Sequence, residues 1–149
     1  MTQLTLQPVT KSNWIACATL VLPKKQSEFV APNVFSIAES KFEPHYQPRA
    51  IMLGETAIGF LMYCNDDASQ ICGEFCLFRL MIVDAYQGKG LGYEAVGLAL
   101  SEIKAAGGQM VSTMYKPDNE IAGRLYTKLG FRPVGVLDDG DIELHLDLV

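Results

Sequence analysis

Apolar and polar positions along this chain change period several times, and each change marks an element. From Leu4 to Val9 the chain alternates Leu4, Leu6 and Pro8 against Thr5, Gln7 and Val9, which predicts an opening strand. Ser12 or Asn13 can cap a helix running to about Leu22, where Pro23 stops it. Residues 24–32 are polar and irregular. Asn33 or Ser36 then starts a second short helix, with Phe35, Ala38 and Phe42 inward, ending before Pro44. Arg49–Leu53 and Ala57–Cys64 read as strands joined by the Gly54-Glu55 turn, with Gly59 marking a bulge. Asn65 to Gln70 reads as a polar loop, and Glu74 to Val83 as the next strand. Within it Phe78, Leu80, Met81, Ile82 and Val83 form a nearly continuous apolar run, as in a strand covered on both faces.

After the glycines at 88, 90 and 92 the period becomes helical. Leu91, Ala95, Leu98, Ala99, Glu102 and Ile103 fall on one face, and Gly107-Gly108 ends the helix. Met110–Met114 reads as a strand. Asn119–Leu129 reads as a helix with Ile121, Leu125 and Leu129 on one face, ended by Gly130. Arg132–Leu137, the Asp138-Asp139-Gly140 turn and Ile142–Leu148 form a closing hairpin. The order β-α-α-β-β-β-α-β-α-β-β predicts a mixed α/β fold around a central, largely antiparallel sheet, with residues 1–149 as a single domain.

Composition narrows the function classes. The chain has 149 residues, about half of them apolar, and a formal charge of -5. No basic stripe is visible, which speaks against nucleic acid. No apolar run reaches the length of a membrane span, and the N-terminus has no signal-peptide pattern, so a cytoplasmic protein with no membrane partner is expected. Cys17, Cys64, Cys72 and Cys76 lack Cys-x-x-Cys spacing and are expected as reduced core thiols. His45 and His145 are isolated, so no metal site is expected. A mild acidic balance can steer cationic substrates.

The chemistry concentrates at Gln87-Gly88-Lys89-Gly90-Leu91-Gly92. Glycines there let backbone N–H groups approach a ligand, and the following helix presents its free N–H groups and positive dipole end, so the stretch predicts an anion site. A P-loop would need Ser or Thr after the lysine, but Gly90 follows Lys89. A dinucleotide fingerprint would need a third glycine where Tyr93 stands. Gln/Arg-x-x-Gly-x-Gly/Ala after an apolar strand fits at every fixed position. In this the chain resembles the GNAT superfamily of N-acetyltransferases, whose coenzyme A diphosphate loop has that pattern.

A second segment strengthens the resemblance. Asn119, Ala122, Tyr126 and Leu129-Gly130-Phe131 are similar to the superfamily's Asn…Ala…Tyr…Leu-Gly-Phe stretch. Asn119 and Tyr126 stand about two helical turns apart, which predicts that they project from one side. The resemblance implies a GNAT fold and acetyl-coenzyme A as acetyl donor, with no metal. It implies that Gln87, Gly88, Lys89, Gly90, Leu91, Gly92 and Tyr93 hold the diphosphate. The backbone of Leu80, Met81 and Ile82 would pair with the pantetheine amides, and Asn119 would hold that arm or a water. Tyr126 would act as general acid, since a hydroxyl of pKa about 10 can serve a departing thiolate of pKa about 8.5.

The base and the acceptor are less specified. Glu74 shares a strand face with Phe78 and could serve as base; water is the alternative. The stretches from Gln26 to Asn33, Ser36 to Glu39, Phe78 to Ile82 and Asp139 to Leu144 resemble the bacterial spermine/spermidine acetyltransferase-like branch. That resemblance implies a small-molecule amine as partner, a polyamine first, with Glu28, Glu39 and Glu74 as candidates to bind its ammonium groups. Other acceptors within the same chemistry are an amino acid, an antibiotic amine or a protein N-terminus. A non-catalytic acyl-coenzyme A sensor is the alternative of another class. A homodimer is the assembly common in the superfamily.

Overall fold

The computed structural model describes residues 3–65 and 73–148. Cys72 and most of the polar stretch expected at 65–70 lie outside the described residues. The elements are β1 (Leu4–Pro8), α1 (Trp14–Ala18), a single 3-10 turn (Lys24–Gln26), α2 (Asn33–Phe42), β2 (Tyr46–Leu53) and β3 (Thr56–Asn65). They continue with β4 (Glu74–Ile82), a 3-10 turn (Asp84–Tyr86), α3 (Leu91–Ala105), β5 (Met110–Tyr115), α4 (Glu120–Lys128), β6 (Arg132–Val136) and β7 (Ile142–Asp147). This is the expected order. The strands form one sheet, β1-β2-β3-β4-β5-β7-β6, in which β4 and β5 run parallel and the other neighbours antiparallel.

Helices cover both faces. Ala95, Val96, Ala99 and Ile103 of α3 and Tyr126 of α4 pack on Ile51, Ile58, Leu61, Leu77 and Val111. On the opposite face Cys17 of α1 and Ile37 of α2 pack on Ala50, Phe60, Met62 and Met81. Glu102, expected on the apolar stripe of α3, is kept there by polar partners: its carboxylate accepts from the Tyr63 hydroxyl at 2.8 Å and from Arg49 Nε at 2.9 Å.

The first helix is shorter than expected. It ends at Ala18 rather than near Leu22. The Thr19 hydroxyl donates to the Ile15 carbonyl at 2.9 Å, and Asn33 Nδ2 donates to the Cys17 carbonyl at 3.0 Å, so groups outside the helix satisfy its last turn. Pro23 also disfavours helical torsions at Leu22. The chain released from helix, residues 19–32, runs over the cleft described below. Asn13, expected as a cap, instead accepts from Thr10 N–H at 2.7 Å and donates to the Pro8 carbonyl, folding the turn out of β1.

The second strand begins earlier than Arg49. Pro48 is tolerated because β1 pairs no further than Arg49, leaving that side of β2 open where the proline lacks its donor. Gly59 lies at a register shift between β2 and β3, as expected. A Cβ there would collide with the Met81 carbonyl, so Gly59 is what lets β3 lie close to the end of β4.

Candidate active site

The site begins with a parting of strands. β4 pairs with β5 from Glu74↔Met110 to Leu77↔Thr113 and no further, although β4 continues to Ile82 and β5 to Tyr115. On its other edge β4 stays paired with β3 through Ile82, and β5 stays paired with β7 through Tyr115. The backbone of residues 78–82 therefore turns an open edge towards the gap, a template for an extended ligand. The Thr113 hydroxyl donates to the Leu77 carbonyl at 2.7 Å, pinning the two strands at the point where they separate.

A cleft of about 460 Å³ lies beyond this point, lined by Leu80, Met81 and Ile82, by the glycine turn, and by Asn119, Ala122 and Leu125. The turn is built for close approach. Gly88 and Gly90 have φ of 75° and 78°, left-handed torsions, and a Cβ at either would meet nothing within 4 Å. Gly90 is the N-cap of α3 and supplies no side-chain acceptor, and the first helical hydrogen bond is Glu94 N–H to the Gly90 carbonyl. The N–H groups of Leu91, Gly92 and Tyr93 point out of the helix end together with its positive dipole. Lys89 Nζ lies 5.6 Å from the Tyr86 ring centre, and Lys128 Nζ lies 4.9 Å from that of Tyr93. Arg124 also lines the cleft, so cations rim it in a chain of negative net charge.

Asn119 lines the cleft and is the N-cap of α4: its Oδ1 accepts from Ala122 N–H at 3.3 Å. Among the described residues its amide nitrogen donates no hydrogen bond. Tyr126 does not share that wall. It is 4% exposed, and its ring lies edge-on to Phe131 at 5.4 Å. Burial pushes its pKa up to about 12, with the neighbouring Thr113 side chain pulling the other way.

The three carboxylates are not brought together. Glu74 opens β4, roughly 20 Å along the strand from Leu80 at about 3.3 Å per residue. Glu39 Oε1 accepts from Arg79 Nη2 at 3.0 Å, while Arg79 Nε reaches the Ser36 hydroxyl, so this carboxylate fastens α2 to β4. Glu28 is exposed and adjoins Phe29, which lines the cleft. Leu22, Gln26 and Phe29, Ile121, Arg124 and Lys128 line it as well and were not among the expected site residues. Ile121, expected to share one helix face with Leu125 and Leu129, is 61% exposed, at the cleft mouth. Its spacing to Leu125 and Leu129 marks one face of α4, but periodicity does not say which face meets sheet and which meets the gap.

Comparisons place this geometry among known proteins. Residues 14–131 match the profile of the Acetyltransferase (GNAT) family. A spermine/spermidine N(1)-acetyltransferase of Bacillus subtilis (strain 168) is 26% identical over 145 residues, covering 89% of this chain and 90% of that protein. Among solved structures, spermidine N-acetyltransferase from Vibrio cholerae, in complex with CoA and spermine, superposes with a TM-score of 0.79 at 15% identity, covering 97% of this chain and 95% of that one. An aminoglycoside acetyltransferase in complex with coenzyme A gives a TM-score of 0.81 at 18% identity, covering 98% and 95%. At these identities the two structures speak for the fold, while the profile spans both the glycine turn and the Asn119–Phe131 segment. The chain belongs to the Acetyltransferase (GNAT) family.

Proposed function

We propose that this acetyltransferase moves an acetyl group from acetyl-coenzyme A to a primary amine, with polyamines such as spermidine and spermine as its acceptor class. The observation that carries the donor is the continuity of the open β4 edge with the glycine turn inside one cleft. Those residues fit coenzyme A: the bare backbone of Gly88 and Gly90 and the end of α3 suit a diphosphate, and an extended edge suits a chain of amides. The polyamine assignment draws on the Bacillus subtilis relative, and on an exposed carboxylate, Glu28, beside the cleft.

In this reading, residues 88–93 hold the diphosphate and Leu80, Met81 and Ile82 align the pantetheine arm. A backbone N–H of that edge polarises the thioester carbonyl. Asn119 offers its amide nitrogen to the same arm. Acetyl-coenzyme A supplies an activated acyl carbon and a thiolate leaving group. The amine nitrogen forms a C–N bond as the C–S bond breaks, the amine loses one proton, and the sulfur gains one. Tyr126 relays that proton as general acid. With its pKa held up to about 12, the hydroxyl stays protonated across the neutral range and donates towards the sulfur before it yields a proton. Glu74 lies at the wrong end of β4 to be the base, which leaves water to take the ammonium proton.

Enclosure of the Tyr126 hydroxyl is the observation that favours the other reading, a sensor that binds acyl-coenzyme A without turnover. One assay separates the two: thiol release from acetyl-coenzyme A against an amine panel containing spermidine and spermine, with Tyr126→Phe alongside. The proposal expects turnover on polyamines and a kcat at least about a hundredfold lower in the variant. Turnover on other amines alone refutes the acceptor class. Equal rates in the two proteins refute the role of Tyr126. Coenzyme A binding with no turnover on any amine supports the sensor.

A further inference from the structure

Residues 21–31 form part of the cleft wall through Leu22, Gln26 and Phe29. Hydrogen bonds inside this segment are local: Gln26 N–H to the Pro23 carbonyl at 2.8 Å, and Phe29 N–H to the Gln26 carbonyl at 3.0 Å. Among the described residues, the hydrogen bonds that leave the segment go to one side chain, Gln87. Gln87 Nε2 donates to Gln26 Oε1 at 2.8 Å, and Gln26 Nε2 donates back to Gln87 Oε1 at 3.1 Å. Gln87 Nε2 also donates to the Ile82 carbonyl at 2.8 Å. The Gln87 amide therefore stands between the last residue of β4, the first residue of the glycine turn and the overhanging wall.

We propose that Gln26 is a positioning residue: through its reciprocal amide pair with Gln87, filling the glycine turn fixes the 22–29 wall over the cleft. This rests on the reading of the turn as a coenzyme A site. The physical reason is that nothing else in the polar structure of the segment reports on the turn. An anion held by residues 88–93 restricts the backbone from which Gln87 extends, and Gln87 passes that restriction to Gln26. Two neutral, half-buried hydrogen bonds make a coupling of about tenfold between the turn and the wall. The wall in turn bounds the space left for the acceptor, so the amine meets a formed pocket only when the donor is in place.

Hydrogen–deuterium exchange on the full chain, with and without coenzyme A, tests this. Gln26→Leu keeps the bulk and loses both hydrogen bonds, whereas Gln26→Glu keeps an acceptor for Gln87 Nε2. In the unsubstituted protein, coenzyme A is expected to slow exchange about tenfold both at the start of α3 (residues 91–94) and in residues 22–29. In Gln26→Leu the protection of 91–94 persists and that of 22–29 falls to less than twofold, with Gln26→Glu between the two. Equal protection of 22–29 in all three proteins, alongside protection of 91–94, overturns the proposal alone. No protection of 91–94 in the unsubstituted protein overturns both the proposal and the coenzyme site beneath it.

Discussion

Thr113→Val probes the point where β4 and β5 separate. The change is nearly isosteric, so it opens no cavity, and the side chain is 1% exposed, so water cannot replace what is lost. Thr113 Oγ1 donates to the Leu77 carbonyl at 2.7 Å, and its side chain neighbours the Tyr126 hydroxyl. A net hydrogen bond in such a place contributes about 1 kcal/mol, and a buried polar group left without a partner costs about 1–3 kcal/mol. A loss of about 2 kcal/mol is therefore expected, or about 4–8 °C in Tm for a chain of this size. Thr113→Ser is the control: it keeps the hydroxyl and loses one methyl, at about 1 kcal/mol. Urea unfolding at neutral pH measures both. In the thiol-release assay the valine variant should lower kcat while leaving the KM for acetyl-coenzyme A within about twofold, because Thr113 does not line the cleft. A valine variant as stable as the parent, or a serine variant less stable than the valine one, would refute the reasoning.

Two further outcomes follow from the same structure. Gly90→Ala places a side chain at a φ of 78°, which costs about 1–2 kcal/mol although a Cβ there would touch nothing, and it should weaken coenzyme A binding by calorimetry; unchanged stability would deny the left-handed turn. Burial pushes both Tyr63 and Tyr126 up to about 12, Tyr63 with help from its hydrogen bond to Glu102, against an ordinary tyrosine value of about 10. The folded protein then holds these protons more tightly than the unfolded chain. Stability is thus unaffected by them below pH 10 and falls between about pH 10 and 12, by up to about 3 kcal/mol per tyrosine. Unfolding titrations of the parent and of a Tyr63→Phe, Tyr126→Phe double variant should diverge only in that interval, and parallel curves through it would contradict the shifts.

The element order was legible in the sequence because it rests on local physics. The switch from period two to a helical period, the glycines that stop helices, and the apolar run of β4 are properties of a few consecutive residues, and each appears where expected. The glycine turn was legible for the same reason: glycines ahead of a helical period place bare backbone at a helix start whatever surrounds it. Where the sequence misled, a distant partner had decided. α1 is short because Asn33, from the next helix, takes the Cys17 carbonyl. Glu39 is committed to Arg79 across a gap between α2 and β4, and Glu74 is carried to the far end of its strand. Ile121 and Gln26 face the cleft because β4 and β5 part beyond Leu77 and Thr113, and the length of a strand pairing has no local signature. Tyr126, two turns on from Asn119 in sequence, is buried and does not line the cleft. Periodicity determines which residues share a face; only the tertiary structure decides what that face meets, because long-range pairing depends on contacts that no window of sequence contains.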